Sequence, residues 1–267
     1  GFLYEMTAWY DPKDAPSLHE TVNINPQIWD RRDLSGIRIG VPQEYFGEGI
    51  DPGVKAVIES AIETARSLGS EIVDISLPHT KEAISVYYII CPAEVASNLA
   101  RYDGIRFGMK AEWEHNIAHN RSEGLGHEVK RRSLVGSFVL SSGFYDAYYK
   151  KASLVRELIR EDFRRAYKKV DIILTPTAPT VAWKIWEKGD DPMALYMEDV
   201  FTVPASLAGL PGLVIPAGFS LPKDDPTGEL PVGVQILGPV LGEERVLEVG
   251  YVLEWALKKN IEGKNPK

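Results

Sequence analysis

Two charged residues in apolar surroundings stand out for what their side chains could bind. Arg132 in "EVKRRSLVG" sits where a helical charge run meets an apolar stretch, so its guanidinium could reach inward. A guanidinium suits bidentate capture of a carboxylate. Asp199 in "LYMEDVFTVPASLAGLPG" reads as part of an otherwise apolar helix, where it could receive an ammonium. The residues alone leave a second reading open for each: Arg132 lays its stem on apolar surface with its head in water, and Asp199 caps or pairs locally.

The remaining reactive side chains point less clearly to chemistry. His115 and His119 are four apart on a stretch expected to be helical, with Glu112 and Glu114 nearby. Asn116 stands where the zinc-binding helix motif carries Glu, and with no third ligand in view a solvated helix face is the better reading. Ser141 and Ser142 precede Lys150 and Lys151 on what reads as one long helix. Nine residues of helix rise about 13 Å and put the two pairs near opposite faces, whereas a serine nucleophile needs its base within hydrogen-bond reach. Cys91 lies in the apolar "YYIICPAE", a setting that suits a structural thiol rather than a nucleophile. "GVPQEYFGEG" (40–49) lacks the lysine and the paired early glycines of the phosphate-binding loops.

The elements that must position these residues are those of an α/β fold with a central mixed sheet flanked by helices. "IRIGVP" (37–42) reads as a short strand, and Asp51-Pro52 supplies an N-cap with Pro at the first helical position. Val54, Val57, Ile58, Ala61, Ile62, Ala65 and Leu68 then recur at helical spacing before Gly69, and "SEIVDISLP" (70–78) alternates as a half-buried strand. That order is a βαβ unit, which favours a parallel pair. A helical insert of about 80–169 follows, and a buried strand, "DIILTP" (171–176), ends it. Beyond lie a helix near 193–208, strands at 212–218 and 231–238, and a final helix at about 242–259. Residues 1–33 read as the end of a preceding helix and a connector, and 34–267 as the C-terminal part of a single domain.

The bulk properties exclude several classes. The chain has 267 residues, 44% hydrophobic and 25% charged, which is ordinary globular composition. No apolar run approaches the ~20 residues of a membrane-spanning helix. A net charge of −8 argues against gripping a phosphate backbone through the overall field. The single cysteine excludes an intramolecular disulfide and fits a reducing compartment, expected to be the cytoplasm or an organellar matrix. The start, "GFLYEMTAWYDPKDAP", has neither an initiating Met nor the plan of a signal peptide, so the chain is expected to be a piece of a longer one.

Five blocks occur in order between residues 77 and 238: "LPHTKEAISVYYIICPAEVASNLARYDGIRFG" (77–108), "RSEGLGHEVKRRSLVGSFVLSSGFYDAYYKKASLVRELIREDF" (121–163), "LTPTAPT" (174–180), "DVFTVPASLAGLPG" (199–212) and "LPVGVQILG" (230–238). Together they closely resemble the A subunits of the aspartyl/glutamyl-tRNA(Asn/Gln) amidotransferases, within the amidase signature family. The resemblance implies a subunit that hydrolyses glutamine and passes the ammonia to a partner B subunit, which uses ATP and Mg²⁺ to amidate Glu-tRNA(Gln) or Asp-tRNA(Asn). A small C subunit braces the pair, and neither a cofactor of this chain nor a membrane is implied.

Residue by residue, the resemblance assigns Tyr87, Arg132 and Asp199 to the glutamine pocket. Arg132 would clamp the α-carboxylate, Asp199 would receive the α-ammonium, and Tyr87 would shape the wall beside them. The catalytic Ser, cis-Ser and Lys would lie in and just before a Gly-Ser-rich signature expected upstream of Gly1; no "GGSSGG" string occurs here, so this chain alone is expected to be inactive. Departures from the family pattern include Ser206, Ser133 after Arg132, Leu125, and the aromatic "VAWKIWEKG" (181–189). Two other functions remain on the sequence: a different amide hydrolase of the same family, and a non-catalytic scaffold chain.

Overall fold

The computed structural model describes residues 1–20, 22–110, 116–185, 187, 192–223 and 228–262. These fall into two compact units, one of Gly1–Lys81 with Ile159–Lys267 and one of Glu82–Leu158.

The first unit is built on a five-stranded sheet. In chain order its strands are β1 (Arg38–Pro42), β2 (Glu71–Ile75), β3 (Ile172–Pro176), β4 (Gly212–Ser220) and β5 (Leu230–Leu237), and their spatial order is β2-β1-β3-β5-β4. β1 runs parallel to β2 and β3, whereas β5 is antiparallel to β3 and β4, so the sheet is mixed. After a short helix α1 (Phe2–Thr7), the crossover from β1 to β2 is α2 (Pro52–Ser67). The Asp51 carboxylate caps α2 by accepting from the amides of Gly53 (2.8 Å) and Val54 (3.3 Å). At its other end Gly69 takes a φ of +94°, where a side chain would be strained.

Alternation along the strands divides the sheet into two faces. Ile39, Ile172, Leu174, Val232, Val234 and Ile236 point to one face and join a core with Val54, Ile58 and Ala61 of α2. Val246, Val249 and Leu253 of the last helix in the chain, α9 (Glu243–Glu262), join the same core. Ile173, Thr175, Gln235 and Leu237 stand on the opposite face by the same alternation, and all are buried.

The regular structure described in the second unit is helical, with α3 (Ala83–Leu99), α4 (Ile117–Gly124) and α5 (His127–Val139) joined by turns and irregular stretches. α3 and α5 approach closely at Gly136, where an added Cβ would lie 1.9 Å from the Pro92 carbonyl oxygen and 2.7 Å from Ala96 Cβ. Only a residue without a side chain lets the two backbones come this near. Arg121 of α4 donates to the carbonyl of Leu99 at 2.7 Å, closing the end of α3.

Two expectations from the sequence need correction. The stretch 137–170 is not one long helix: α5 stops at Val139, and Ser141 turns back on it, its Oγ donating to the Phe138 carbonyl at 2.7 Å. A π-helical turn over Asp146–Lys150 precedes α6 (Lys151–Ala166), inside which the division between the units falls. Apolar residues at helical spacing along the stretch are split accordingly: Leu140, Phe144 and Tyr148 are exposed, and Ala152 and Ile159 are buried. The helix expected near 193–208 is two, α7 (Pro192–Met197) and α8 (Val203–Ala208). Pro204 explains the break, because it has no N–H for the Val200 carbonyl and its ring would collide with that carbonyl in a continuous helix. At the second position of α8 the same Pro is well placed.

Candidate functional site

Within the second unit, α3 and α5 bring Arg132 against Tyr87, Tyr88 and Cys91. Tyr87 and Cys91 are one turn apart on α3, and Glu128 and Arg132 one turn apart on α5. Arg132 Nε donates to Glu128 Oε1 at 2.8 Å, and the guanidinium carbon lies 5.7 Å from the centre of the Tyr88 ring, a cation–π arrangement. Its Nη1 is 3.9 Å from Cys91 Sγ. The planar group is thus held along one edge by a carboxylate and over an aromatic face.

The titration behaviour follows from these contacts. The hydrogen bond to Glu128 raises the pKa of Arg132 further above its ordinary value, so the guanidinium stays charged. Burial works to raise the Glu128 carboxyl, but hydrogen bonds from Arg132 and Arg131 outweigh it and hold the carboxyl below its usual range. The Tyr87 phenol is pushed up by its hydrogen bond with Cys91 and by burial, against the pull of Arg132. Tyr87 and Arg132 thus each influence the other's titration.

Cys91 is not in the purely apolar setting expected, because one turn of α3 places it beside Tyr87 and the packing of α5 places it beside Arg132. Ser133, next to Arg132, has a buried Oγ with no hydrogen-bond partner, a desolvation cost that an apolar side chain would not carry.

Asp199 belongs to the first unit. It is not on a helix but in the turn between α7 and α8. Its main-chain carbonyl accepts from the amides of Thr202 (3.1 Å) and Val203 (3.0 Å) and so starts α8. The side chain is exposed. Two positions on, Phe201 is buried and stacks on Tyr45 with ring centroids 5.2 Å apart. The Phe201 carbonyl accepts from Gln235 Nε2 at 3.0 Å, and the same amide donates to Thr175 Oγ1 at 2.8 Å.

Sequence reasoning overlooked Glu128, Tyr88, Gln235 and Thr175. A carboxylate one helical turn before Arg132 was a readable signal for Glu128. A lone Gln in the apolar run "PVGVQILG" was a weaker one for Gln235, because a buried amide must find partners.

The serine and lysine candidates do not assemble, and most of the histidine cluster is not described. His115, Glu112 and Glu114 lie outside the described residues; His119 is on α4, where its backbone amide donates to the capping Asn116 side chain at 3.0 Å. Among the described residues no group of three His, Cys, Asp or Glu could hold a metal. Lys150 pairs with Asp146 at 3.2 Å, and Ser141 lies in a turn rather than on the helix of the lysines. No helix among the described residues is long and apolar enough to cross a membrane.

A family model described as Amidase matches residues 2–247, and the chain belongs to that family. Over 257 residues it is 49% identical to the A subunit of the Glutamyl-tRNA(Gln) amidotransferase of Methylobacillus flagellatus, covering 94% of this chain and 52% of that protein. The protein of the same description from Thermoanaerobacter pseudethanolicus is 48% identical, with 94% and 51% covered. Among solved structures, the A subunit of the Glutamyl-tRNA(Gln) amidotransferase from Thermotoga maritima aligns with a TM-score of 0.68 at 32% identity, over 96% of this chain and 49% of that one. A bacterial aryl acylamidase of the amidase signature family, at 15% identity and TM-score 0.68 over 97% of this chain and 51% of its own, shares the fold. This chain spans about half the length of the relatives it matches.

Proposed function

We propose that this chain is the glutamine-recognising part of the glutamine-hydrolysing subunit of a tRNA-dependent amidotransferase. The observation that carries the reading is the Arg132 guanidinium held by Glu128 at Nε and over Tyr88, with Tyr87 beside it. A fixed, permanently charged fork is what a substrate carboxylate needs. In this reading Arg132 takes the α-carboxylate of glutamine, Tyr87 forms the adjoining wall, and Asp199 takes the α-ammonium. Selectivity follows, since an amide lacking either charge leaves a pocket charge unsatisfied.

The reaction itself is assigned to a Ser, a cis-Ser and a Lys outside these 267 residues. Ammonia released from glutamine goes to a B subunit, which uses ATP and Mg²⁺ to amidate Glu-tRNA(Gln) or Asp-tRNA(Asn), while a C subunit braces the pair. The similarity to proteins of that description in two bacteria supports the assembly. The test is glutamine hydrolysis by the full-length protein in complex with its partners. Arg132→Ala should lower kcat/KM for glutamine by about a hundredfold or more, the loss expected when a buried charge pair goes unmet. Unaltered glutamine kinetics in that variant would point instead to a hydrolase of simple amides. Partner binding without any amide turnover would point to a scaffold.

A further inference from the structure

The strand β5 carries an uncharged, buried side chain that reaches the turn on which Asp199 stands. Gln235 is 5% exposed and Thr175 is fully buried. The two are direct cross-strand partners of β5 and β3, on the sheet face away from the α2–α9 core. Between them the Gln235 amide nitrogen uses one proton on Thr175 Oγ1 (2.8 Å) and the other on the Phe201 carbonyl (3.0 Å). A carbonyl can only accept, so the amide orientation is dictated by Phe201 and needs no choice between its O and N.

The consequence lies two residues upstream. Phe201 is fixed at its carbonyl by Gln235 and at its ring by Tyr45, so the backbone from Asp199 to Val203 is held from below. The Asp199 carbonyl closes the same turn onto the amides of Thr202 and Val203. A one-residue shift of this turn would re-aim the Asp199 carboxylate while leaving both short helices intact. An apolar residue at 235 would fill the same space but leave the Phe201 carbonyl without its buried donor.

We propose that Gln235, braced by Thr175, is a positioning residue that sets the specificity of Asp199 for the α-ammonium of the substrate. This rests on the reading of Asp199 as the ammonium acceptor. Gln235 does not touch substrate; it acts through the main chain of Phe201.

The experiment uses the full-length protein in complex with its partners and compares kcat/KM for glutamine with that for glutaramate, the same amide without the α-amino group. Asp199→Asn is the reference. Gln235→Met keeps the length of the side chain and removes both donors, and Thr175→Val removes the brace alone. The glutamine-to-glutaramate preference should fall about tenfold in Gln235→Met and in the same direction in Thr175→Val, approaching Asp199→Asn. A general packing defect lowers both activities together and leaves the ratio alone. A wild-type ratio in folded Gln235→Met, with the ratio lost in Asp199→Asn, would overturn the positioning role only. Should Gln235→Met fail to fold, the ratio in Thr175→Val decides in the same way. An unchanged ratio in Asp199→Asn would overturn the Asp199 assignment and this inference with it.

Discussion

His79 meets Asp162 twice: its backbone amide and its ring Nδ1 both lie 2.9 Å from the same carboxylate oxygen, Oδ2. The carboxylate side chain is 3% exposed, so it joins the turn before α3 to the body of α6 without help from water. Asp162→Ala removes the acceptor of both contacts at a buried position. The expected cost is about 1.5–3 kcal/mol, the range for hydrogen bonds to a charged group. Thermal or denaturant unfolding of the protein checks it, and a loss below about 0.5 kcal/mol would count against the role.

Arg38 grips Asp171 through Nη2 at 2.8 Å and Nε at 3.2 Å, and its backbone amide adds a contact at 2.9 Å. The hydrogen bond from the Arg38 side chain holds the Asp171 carboxyl below its ordinary 3.8. A folded-state pKa depressed in this way contributes stability above the unfolded value, and that stability is lost as pH falls through the folded value. Unfolding followed from pH 6 downwards should therefore show less acid sensitivity in Asp171→Asn than in the parent, the two curves running parallel above about pH 4 and converging as the pH falls below it. Curves that stay parallel below about pH 4 would mean that the pair does not shift the carboxyl.

Glu128 is expected to matter through Arg132 rather than by itself. Glu128→Gln weakens the hold on Nε while keeping shape, and in the full-length protein it should raise KM for glutamine about fivefold, equivalent to ~1 kcal/mol for a partly exposed pair. An amide lacking the α-carboxylate, such as 4-aminobutanamide, should show no comparable change. Equal losses on both substrates would place Glu128 in general packing.

Gly136→Ala puts a methyl group where the Pro92 carbonyl oxygen already stands, 1.9 Å from the new carbon. α3 and α5 must separate, and the expected destabilisation is about 2–3 kcal/mol. Because Tyr87 and Arg132 sit on these two helices, KM for glutamine should rise as well. Unfolding and kinetics on one preparation check both, and an unchanged melting temperature would contradict the close approach.

What could be read without the structure was local. The β1-α2-β2 unit was legible because Asp51-Pro52 and Gly69 mark the helix ends chemically, and β3 because "DIILTP" holds a short apolar run, Ile172 to Leu174, closed by Pro176. The split of the helix at Asp199 was written in Pro204, yet the apolar spacing on both sides concealed it. The turn at Ser141 was hidden in the same way, because the face of Leu140, Phe144 and Tyr148 keeps helical spacing while remaining exposed. The partners of Gln235 were out of reach of any pattern: Thr175 is 60 positions away and Phe201 is 34. The sequence pattern suggested which residues carry charge into the candidate site, but not which uncharged ones hold them.

The topology of the sheet also bears on how it is assembled in time. β4 and β5 are consecutive in the chain, and α9 follows them directly. The pairing of β1 with β3, by contrast, joins Ile39 to Ile172 and lies beside the Arg38–Asp171 contact that spans 133 positions. Short-range pairings close faster than long-range ones. The β4–β5–α9 end is therefore expected to organise first and to serve as the template on which β3, then β1 and β2, are laid down.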